Sequence, residues 1–257
     1  MCELFGITSK ETIYANSYLK EFFSHSDKHP HGWGIVCMED NEASIEKEPM
    51  DASKSIYLKR RLTLPIEEKT MFAHIRYATI GNVEYQNCHP FSKKDRYGRR
   101  WTLIHNGTIF EYAPLSKYVQ SQSGDTDSER ILLYLVEEIN KREEKRDTPM
   151  NGQERFAFLD EIVTGMSKDN KLNFLLYDGE FMYVHTNYAN SLYYLDRGGT
   201  VIFSTQPLSE EEWKSVPFTT LLAYQEGKRI RTGTNHHNEY FENEENMKYI
   251  FQIFSNL

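Results

Sequence analysis

The sequence predicts an α+β fold in which strands and helices are segregated along the chain. Short apolar runs broken by turns occupy Cys2 to His105, two helical patterns fall between Thr126 and Met166, and strand-like runs return between Leu172 and Tyr224. Strands, then helices, then strands again favour packed sheets and helices over the alternating units of a parallel βαβ sheet.

Taken in order, Cys2 to Ile7 is short and mostly apolar, and Gly34 to Met38 is apolar and bounded by glycine and charge. Thr70 to Ala78 and Trp101 to His105 have the same strand character. Asn16 to Phe23 predicts a helix, as does Ser53 to Arg61, where Ile56, Tyr57 and Arg60 fall on related faces. The clearest helix begins at Thr126-Asp127-Ser128-Glu129, where a hydroxyl precedes a glutamate at capping-box spacing. Behind it, Ile131, Leu132, Leu135, Val136 and Ile139 recur at helical intervals. Lys141 to Gln153 is charge-rich, carries Pro149 and Gly152, and reads as a surface loop or a boundary between two halves of one domain. A second helix follows from Gln153 to Met166. Strands are then expected at Leu172–Tyr177, Phe181–Thr186, Ser191–Leu195, Thr200–Ser204 and Thr219–Tyr224, with Asp178-Gly179 as a hairpin turn. From about Lys228 the chain is polar and carries no pattern that assigns an element.

The chain has 257 residues, enough for one large domain or two small ones and for a core that needs no staples. Aromatic residues make up 14%, a composition of folded chains. Thirty Lys and Arg against 38 Asp and Glu leave a formal charge of -8. That balance disfavours nucleic acid and anionic membrane as partners, because both call for a basic footprint. No apolar run approaches the roughly 20 residues of a membrane span, and the first ten residues lack the basic start and apolar stretch of a signal peptide. The cysteines, Cys2, Cys37 and Cys88, are odd in number and widely spaced. They suggest no disulfide framework and point to a reducing, cytoplasmic setting. His29 with His31 and His236 with His237 lack companion ligands at metal-site spacing, and no glycine-rich phosphate loop is present, so neither metal nor cofactor is expected.

Several residues carry chemistry. A thiol near pKa ~8.5 is mostly protonated at neutral pH and needs a base. If Met1 is removed, Cys2 gains an α-amine of reference pKa about 7.7–8.0, held within a few ångströms of its sulfur. The plain alternative is that Cys2 merely opens a strand. The segment Phe72-Ala73-His74-Ile75-Arg76-Tyr77-Ala78-Thr79 ends an apolar strand in an arginine, whose planar fork can grip a carboxylate or simply sit in a surface ion pair. Asn87-Cys88-His89-Pro90-Phe91 offers His89 either as a substrate contact or as a partner of backbone groups, and Cys88 as a weaker rival nucleophile, since adjacent side chains on extended backbone point apart. His105-Asn106-Gly107 reads locally as a hairpin turn. It also offers a side-chain amide and a backbone N–H as paired donors to an oxyanion. Asp127 opens the strongest helix, where the dipole favours a carboxylate; it could equally bind an amine.

In combination and in this order, the motifs resemble the class II glutamine amidotransferases of the N-terminal-nucleophile hydrolase fold. The matching segments are Met1-Cys2-Glu3-Leu4-Phe5-Gly6-Ile7, His31-Gly32-Trp33-Gly34-Ile35, Arg76-Tyr77-Ala78-Thr79, Asn87-Cys88-His89-Pro90-Phe91, His105-Asn106-Gly107-Thr108-Ile109 and Asp125-Thr126-Asp127-Ser128-Glu129. Ser204-Thr205-Gln206-Pro207-Leu208 through Trp213 and Val216-Pro217 looks like the small stand-alone branch typified by YafJ-like and EgtC-like proteins. The resemblance spans roughly Cys2 to Arg231 and implies a four-layer αββα sandwich, a single domain over residues 2–257 once Met1 is gone. It implies that Cys2 attacks the glutamine side-chain amide, forms a γ-glutamyl thioester and releases ammonia, with Asn106 and Gly107 as the oxyanion hole. It further implies Arg76 as the ligand of the substrate carboxylate, Tyr77 and Thr79 beside it, His89 lining the site, and Asp127 on the α-ammonium. The Arg-Gly pair that some larger members carry near the first loop has no clear counterpart within Lys28 to Gly32.

Three functions follow from the resemblance: a glutaminase that passes ammonia to a separate synthase subunit, a hydrolase of γ-glutamyl amides in larger compounds, or a glutamine-binding subunit without turnover. Glutamine or a γ-glutamyl compound is the expected ligand in each.

Overall fold

In a computed structural model, residues 2–246 are described together with Lys248 and Tyr249. Met1, whose removal the sequence leads one to expect, and the last residues of the expected domain, 250–257, lie outside the described residues. In chain order the elements are β1 (Glu3–Tyr14), α1 (Asn16–Ser24), β2 (Trp33–Glu39), β3 (Glu42–Glu48), α2 (Ile56–Arg61) and β4 (Glu67–Ile75). Next come β5 (Phe91–Lys94), β6 (Arg100–His105), α3 (Asp127–Glu143) and α4 (Gly152–Met166). The chain returns through β7 (Phe174–Tyr177), β8 (Met182–His185), β9 (Tyr193–Asp196), β10 (Thr200–Ser204), β11 (Lys214–Ser215), β12 (Leu222–Gln225) and β13 (Lys228–Thr232).

The strands make two sheets, ordered β11-β9-β10-β1-β4-β2-β3 and β13-β12-β8-β7-β6-β5, and the paired strands are antiparallel. The alternation of side chains along β1 shows how the layers stack. Phe5 and Ile7 pack with Leu19, Phe22 and Leu58 from α1 and α2. Leu4, between them on the other face, packs with Phe72, Ile104, Leu175 and Phe203 in the core between the sheets. Gly6 shares that inner face, and a Cβ there would come within 2.4 Å of the Leu175 side chain. A third core joins Leu103, Leu176 and Tyr183 of the second sheet to Ile131, Leu135, Leu159 and Val163 of α3 and α4. Helices, sheet, sheet, helices: the four-layer α+β sandwich expected from the sequence is the one observed.

The nine strands anticipated from the sequence all form, most with ends displaced by three residues or fewer, while β1 runs on to Tyr14, well past the expected Ile7. β4 stops at Ile75, and β12 starts at Leu222, later than the expected Thr219. The four not anticipated, β3, β5, β11 and β13, are the edges of the two sheets. α2 is capped by Ser55, whose hydroxyl accepts from Leu58 N at 2.9 Å, so it begins after a short 3-10 turn at Ala52–Lys54. Thr126 caps α3 as its spacing predicts, accepting from Glu129 N at 3.2 Å. The Glu129 carboxylate does not complete a reciprocal box; it accepts from Ser123 N and Gly124 N at 2.7 and 2.8 Å and ties down the loop before the helix. The reciprocal box stands at α4, where Asn151 and Glu154 satisfy each other's backbone N–H groups within the stretch read as a loop. The Asp178-Gly179 hairpin forms, with Gly179 at φ 87°. Asp178 accepts from Phe181 N at 2.7 Å, from Tyr183 Oη at 2.8 Å and from Arg155 Nε at 2.7 Å, locking α4 to the hairpin.

Candidate active site

The site is assembled from the start of β1, the end of β4 and the continuation of β6. Glu3 pairs with Ile75 across the β1–β4 ladder, which sets Cys2 level with the Arg76-Tyr77 segment. Cys2 Sγ lies 3.4 Å from both the carbonyl oxygen and the N–H nitrogen of Tyr77. A thiol donates to the first and a thiolate accepts from the second. Burial pushes the Cys2 thiol up, and the Tyr77 N–H and the Arg76 charge pull the other way.

Asn106-Gly107 is not a hairpin turn. Past the end of β6, Asn106 N donates to Asn173 O at 2.8 Å, and Thr108 exchanges bonds with Lys171 at 2.9 and 3.1 Å. The pair therefore sits in a bend between the end of β6 and the Thr108–Lys171 bridge, paired with a segment distant in sequence, and no hairpin closes there. Glycine is required at 107 because a Cβ would stand 2.0 Å from Lys171 O and 2.5 Å from His105 Nε2. Asn106, Thr108 and Phe110 all line a pocket with Cys2. Tyr77, Thr79, Gly107, Lys171, Tyr240 and Glu242 complete its lining. Among the described residues no hydrogen bond engages the Asn106 side-chain amide, which leaves both its N–H groups available to a ligand.

The other anticipated residues stand behind this wall. Arg76 is buried and donates through Nη1 to Asn82 O at 2.8 Å and through Nη2 to Ile80 O and Gly81 O at 2.9 Å, so it shapes the loop that follows Thr79. Thr79 Oγ1 lies 3.5 Å from Thr108 Oγ1, which bridges that loop to the β6 extension. Asp127 accepts from Ile109 N at 2.8 Å, next to Ser128, whose hydroxyl is 2.9 Å from His105 Nδ1. These bonds fasten the N-terminus of α3 to the strand that carries Asn106 and Gly107. His89 does not line the pocket. It is buried in the interior, stacked on His74 at 4.0 Å between ring centroids, with Phe91 edge-on at 4.7 Å. Cys2, Tyr77, Thr79, Asn106 and Gly107 thus share one cavity, with Arg76 and Asp127 supporting its walls and His89 set apart. No group of three His, Cys, Asp or Glu among the described residues is placed to hold a metal ion.

Cys88 is a poor rival nucleophile. It is fully buried, its Sγ donates to Glu48 O and Glu84 O at 3.4 Å, and burial pushes it up to about 11. The Cys37 thiol is pushed up to about 12 by burial and by Glu68 beside it.

Buried histidines behind the site make a pH prediction. Loss of hydration pushes His74 and His185 down to about 3 from 6.5, and His89 well below its ordinary value. Folded, they stay neutral; unfolded, they take up protons below about pH 6.5, so the unfolded chain binds more protons. Their contribution is fully present above pH 6.5 and is lost as pH falls from there towards 3. Each should remove about 1.4 kcal/mol of stability per pH unit in that window. The thermal midpoint at pH 5.5 should lie well below that at pH 7.5. An unchanged midpoint would show the rings to be protonated in the folded protein.

Comparison with known proteins decides the family. Residues 1–199 match the family described as class II glutamine amidotransferases, which covers most of the chain. The chain belongs to the class II glutamine amidotransferases. The putative glutamine amidotransferase YafJ of Escherichia coli is 30% identical to this amidotransferase over 192 residues, 73% of this chain and 74% of that one. An uncharacterised protein of Methanocaldococcus jannaschii is 29% identical over 90% of this chain and 71% of its own. Among solved structures, a predicted glutamine amidotransferase from Pseudomonas aeruginosa superposes with a TM-score of 0.65 at 20% identity, covering 90% of this chain and all of that one. The glutamine phosphoribosylpyrophosphate amidotransferase of B. subtilis gives 0.66 at 18% identity over 93% of this chain, which spans only half of that enzyme. These two share the fold. The family's enzymes hydrolyse the glutamine amide or transfer its nitrogen. No described helix of this amidotransferase is long and apolar enough to cross a membrane.

Sequence reasoning missed three residues that line the amidotransferase pocket, Lys171, Tyr240 and Glu242. Lys171 directly precedes an apolar strand, and its place opposite Thr108 is set only by pairing. Tyr240 and Glu242 come from the polar tail, held in place by Tyr240 N donating to Asn187 O at 2.8 Å and His236 N to Thr219 O at 3.0 Å. Nothing in their local sequence marks them.

Proposed function

We propose that the mature chain begins at Cys2 and that Cys2 Sγ is the nucleophile of a glutamine amide hydrolase. The observation that carries this reading is that Cys2, Asn106 and Gly107 line one pocket. The α-amine of Cys2 takes the thiol proton, directly or through a water. Sulfur adds to the amide carbon while the Asn106 amide and the Gly107 N–H receive the oxyanion. The C–N bond breaks, the proton passes to the leaving nitrogen, and ammonia departs from a γ-glutamyl thioester. Water then adds to the thioester, and glutamate leaves as the thiol is restored. Tyr77 and Thr79 line the pocket beside the glutamyl half; Arg76 would serve its carboxylate and Asp127 its ammonium only by giving up the loop carbonyls and the Ile109 N–H that they engage here. The ammonia goes to water or to a separate synthase subunit.

A glutamine-analogue electrophile tests the reading. It should attach once, at Cys2, in a chain whose intact mass lacks Met1. Attachment at Cys88, or an active chain that retains Met1, would overturn it.

A further inference from the structure

The segment that follows β13 brings Tyr240 and Glu242 into the lining of the Cys2 pocket. Tyr240 stacks on Phe110 at 6.0 Å between ring centroids, and Glu242 accepts from the Tyr188 hydroxyl at 3.1 Å. Earlier in the same segment, the His236 ring is tilted against that of His185 in β8, with 5.3 Å between centroids. Their two Nε2 atoms are 3.0 Å apart.

Three hydrogen bonds fix where each proton on this pair sits. His185 Nδ1 is 2.6 Å from Leu172 O, and a carbonyl can only accept, so that nitrogen carries the hydrogen. The Nε2 of a neutral His185 then has a lone pair to offer, and His236 Nε2 donates to it. The lone pair of His236 is left on Nδ1, where Asn238 N donates at 3.0 Å. The chain from Asn238 through His236 and His185 to Leu172 is complete with both rings neutral, and a further proton finds no acceptor among the described residues. On His236 Nδ1 it would meet the Asn238 N–H; on His185 Nε2 it would meet the His236 N–H. Ser167 Oγ stands 3.4 and 3.5 Å from the two nitrogens of His236, aligned with neither.

The surroundings act in the same sense. Burial lowers His236 from its ordinary 6.5, with Asp160 of α4 opposing the shift and His237 adding to it. Burial also pushes His185 down to about 3, with His236 and His105 adding to the shift and the Leu172 carbonyl opposing it.

We infer that His236 is a positioning residue for the Cys2 pocket: its hydrogen bond to His185, available while both rings are neutral, holds Tyr240 and Glu242 in the wall. Under the function proposed above, on which this inference rests, that wall bounds the glutamine site. Release of the segment should therefore weaken substrate binding more than thioester chemistry. Once released, His236 regains its ordinary range and takes up a proton below about pH 6.5, so the latch is at full strength above that pH and weakens as pH falls through it.

Backbone hydrogen exchange over residues 234–242 of the full-length protein, corrected for the intrinsic pH dependence, reads the segment directly. In wild type the corrected exchange should rise about fivefold or more between pH 7.5 and pH 5.5. His236→Gln keeps an N–H donor for His185 but takes up no proton. It should stay protected at pH 7.5 and lose the pH dependence. His236→Phe keeps a ring without the donor and should exchange freely at both pH values. In glutamate-release assays, His236→Phe should raise KM for glutamine about threefold or more with kcat within about twofold, while His236→Gln should match wild type at pH 7.5. Wild-type exchange that is equal at the two pH values would overturn the inference, as would pH dependence retained in His236→Gln. So would an unchanged KM in a His236→Phe whose segment exchanges freely. Should His236→Phe not fold, wild type and His236→Gln decide the matter between them. Wild type that releases no glutamate from glutamine would remove the proposed function, whereas the exchange data still show whether His236 holds the segment.

Discussion

Cys2→Ala should abolish glutamate release from glutamine, lowering kcat on the order of 10⁴-fold or more, because no thioester can form without the nucleophile. No other thiol can substitute. The Cys88 thiol is buried, bonded to two carbonyls and pushed up to about 11, and Cys37 is pushed up to about 12. The substitution removes one sulfur from the lining of a pocket and leaves the β1–β4 ladder from Glu3 onward intact, so the thermal midpoint should move little. Glutamate assays paired with a melting curve separate lost chemistry from lost fold. Activity within tenfold of wild type in Cys2→Ala would end the nucleophile assignment.

Asn106→Ala should lower kcat by about 10²–10³-fold with little change in KM, because the amide's contribution arises as charge develops on the oxygen. The geometry supports a role confined to the pocket: the Asn106 backbone is already held by Asn173 O, while its side-chain amide has no partner among the described residues. Steady-state kinetics on glutamine give the answer. A rise in KM at unchanged kcat would place Asn106 in ground-state binding. Its neighbour behaves differently, since any side chain at Gly107 meets Lys171 O at 2.0 Å and pushes the ladder itself apart.

How far each feature was legible follows from where its stabilisation comes from. Strands such as β4, β7 and β10 are buried on both faces and read as apolar runs. The four missed strands, β3, β5, β11 and β13, are sheet edges, and edges carry charge that blunts further pairing. The β3 run Glu42–Glu48 and the β13 run Lys228–Thr232 are of this kind, mostly charged and little buried. Helix starts were legible where a side chain caps its own backbone, as at Thr126, because that chemistry spans only three residues. His89 was legible as a motif residue, yet its place on His74 is decided by the packing of the interior.

By itself, the sequence determined the α+β class, the family, and the residue types available to an amide-cleaving site, since periodicity, caps and motif spacing act over short stretches of chain. Only the tertiary structure decided that Asn106-Gly107 closes no hairpin, that Arg76 is tied to a loop, and that Lys171, Tyr240 and Glu242 line the pocket of Cys2. Each of those outcomes depends on ladder pairing or burial between segments far apart in sequence, and such contacts leave no local trace.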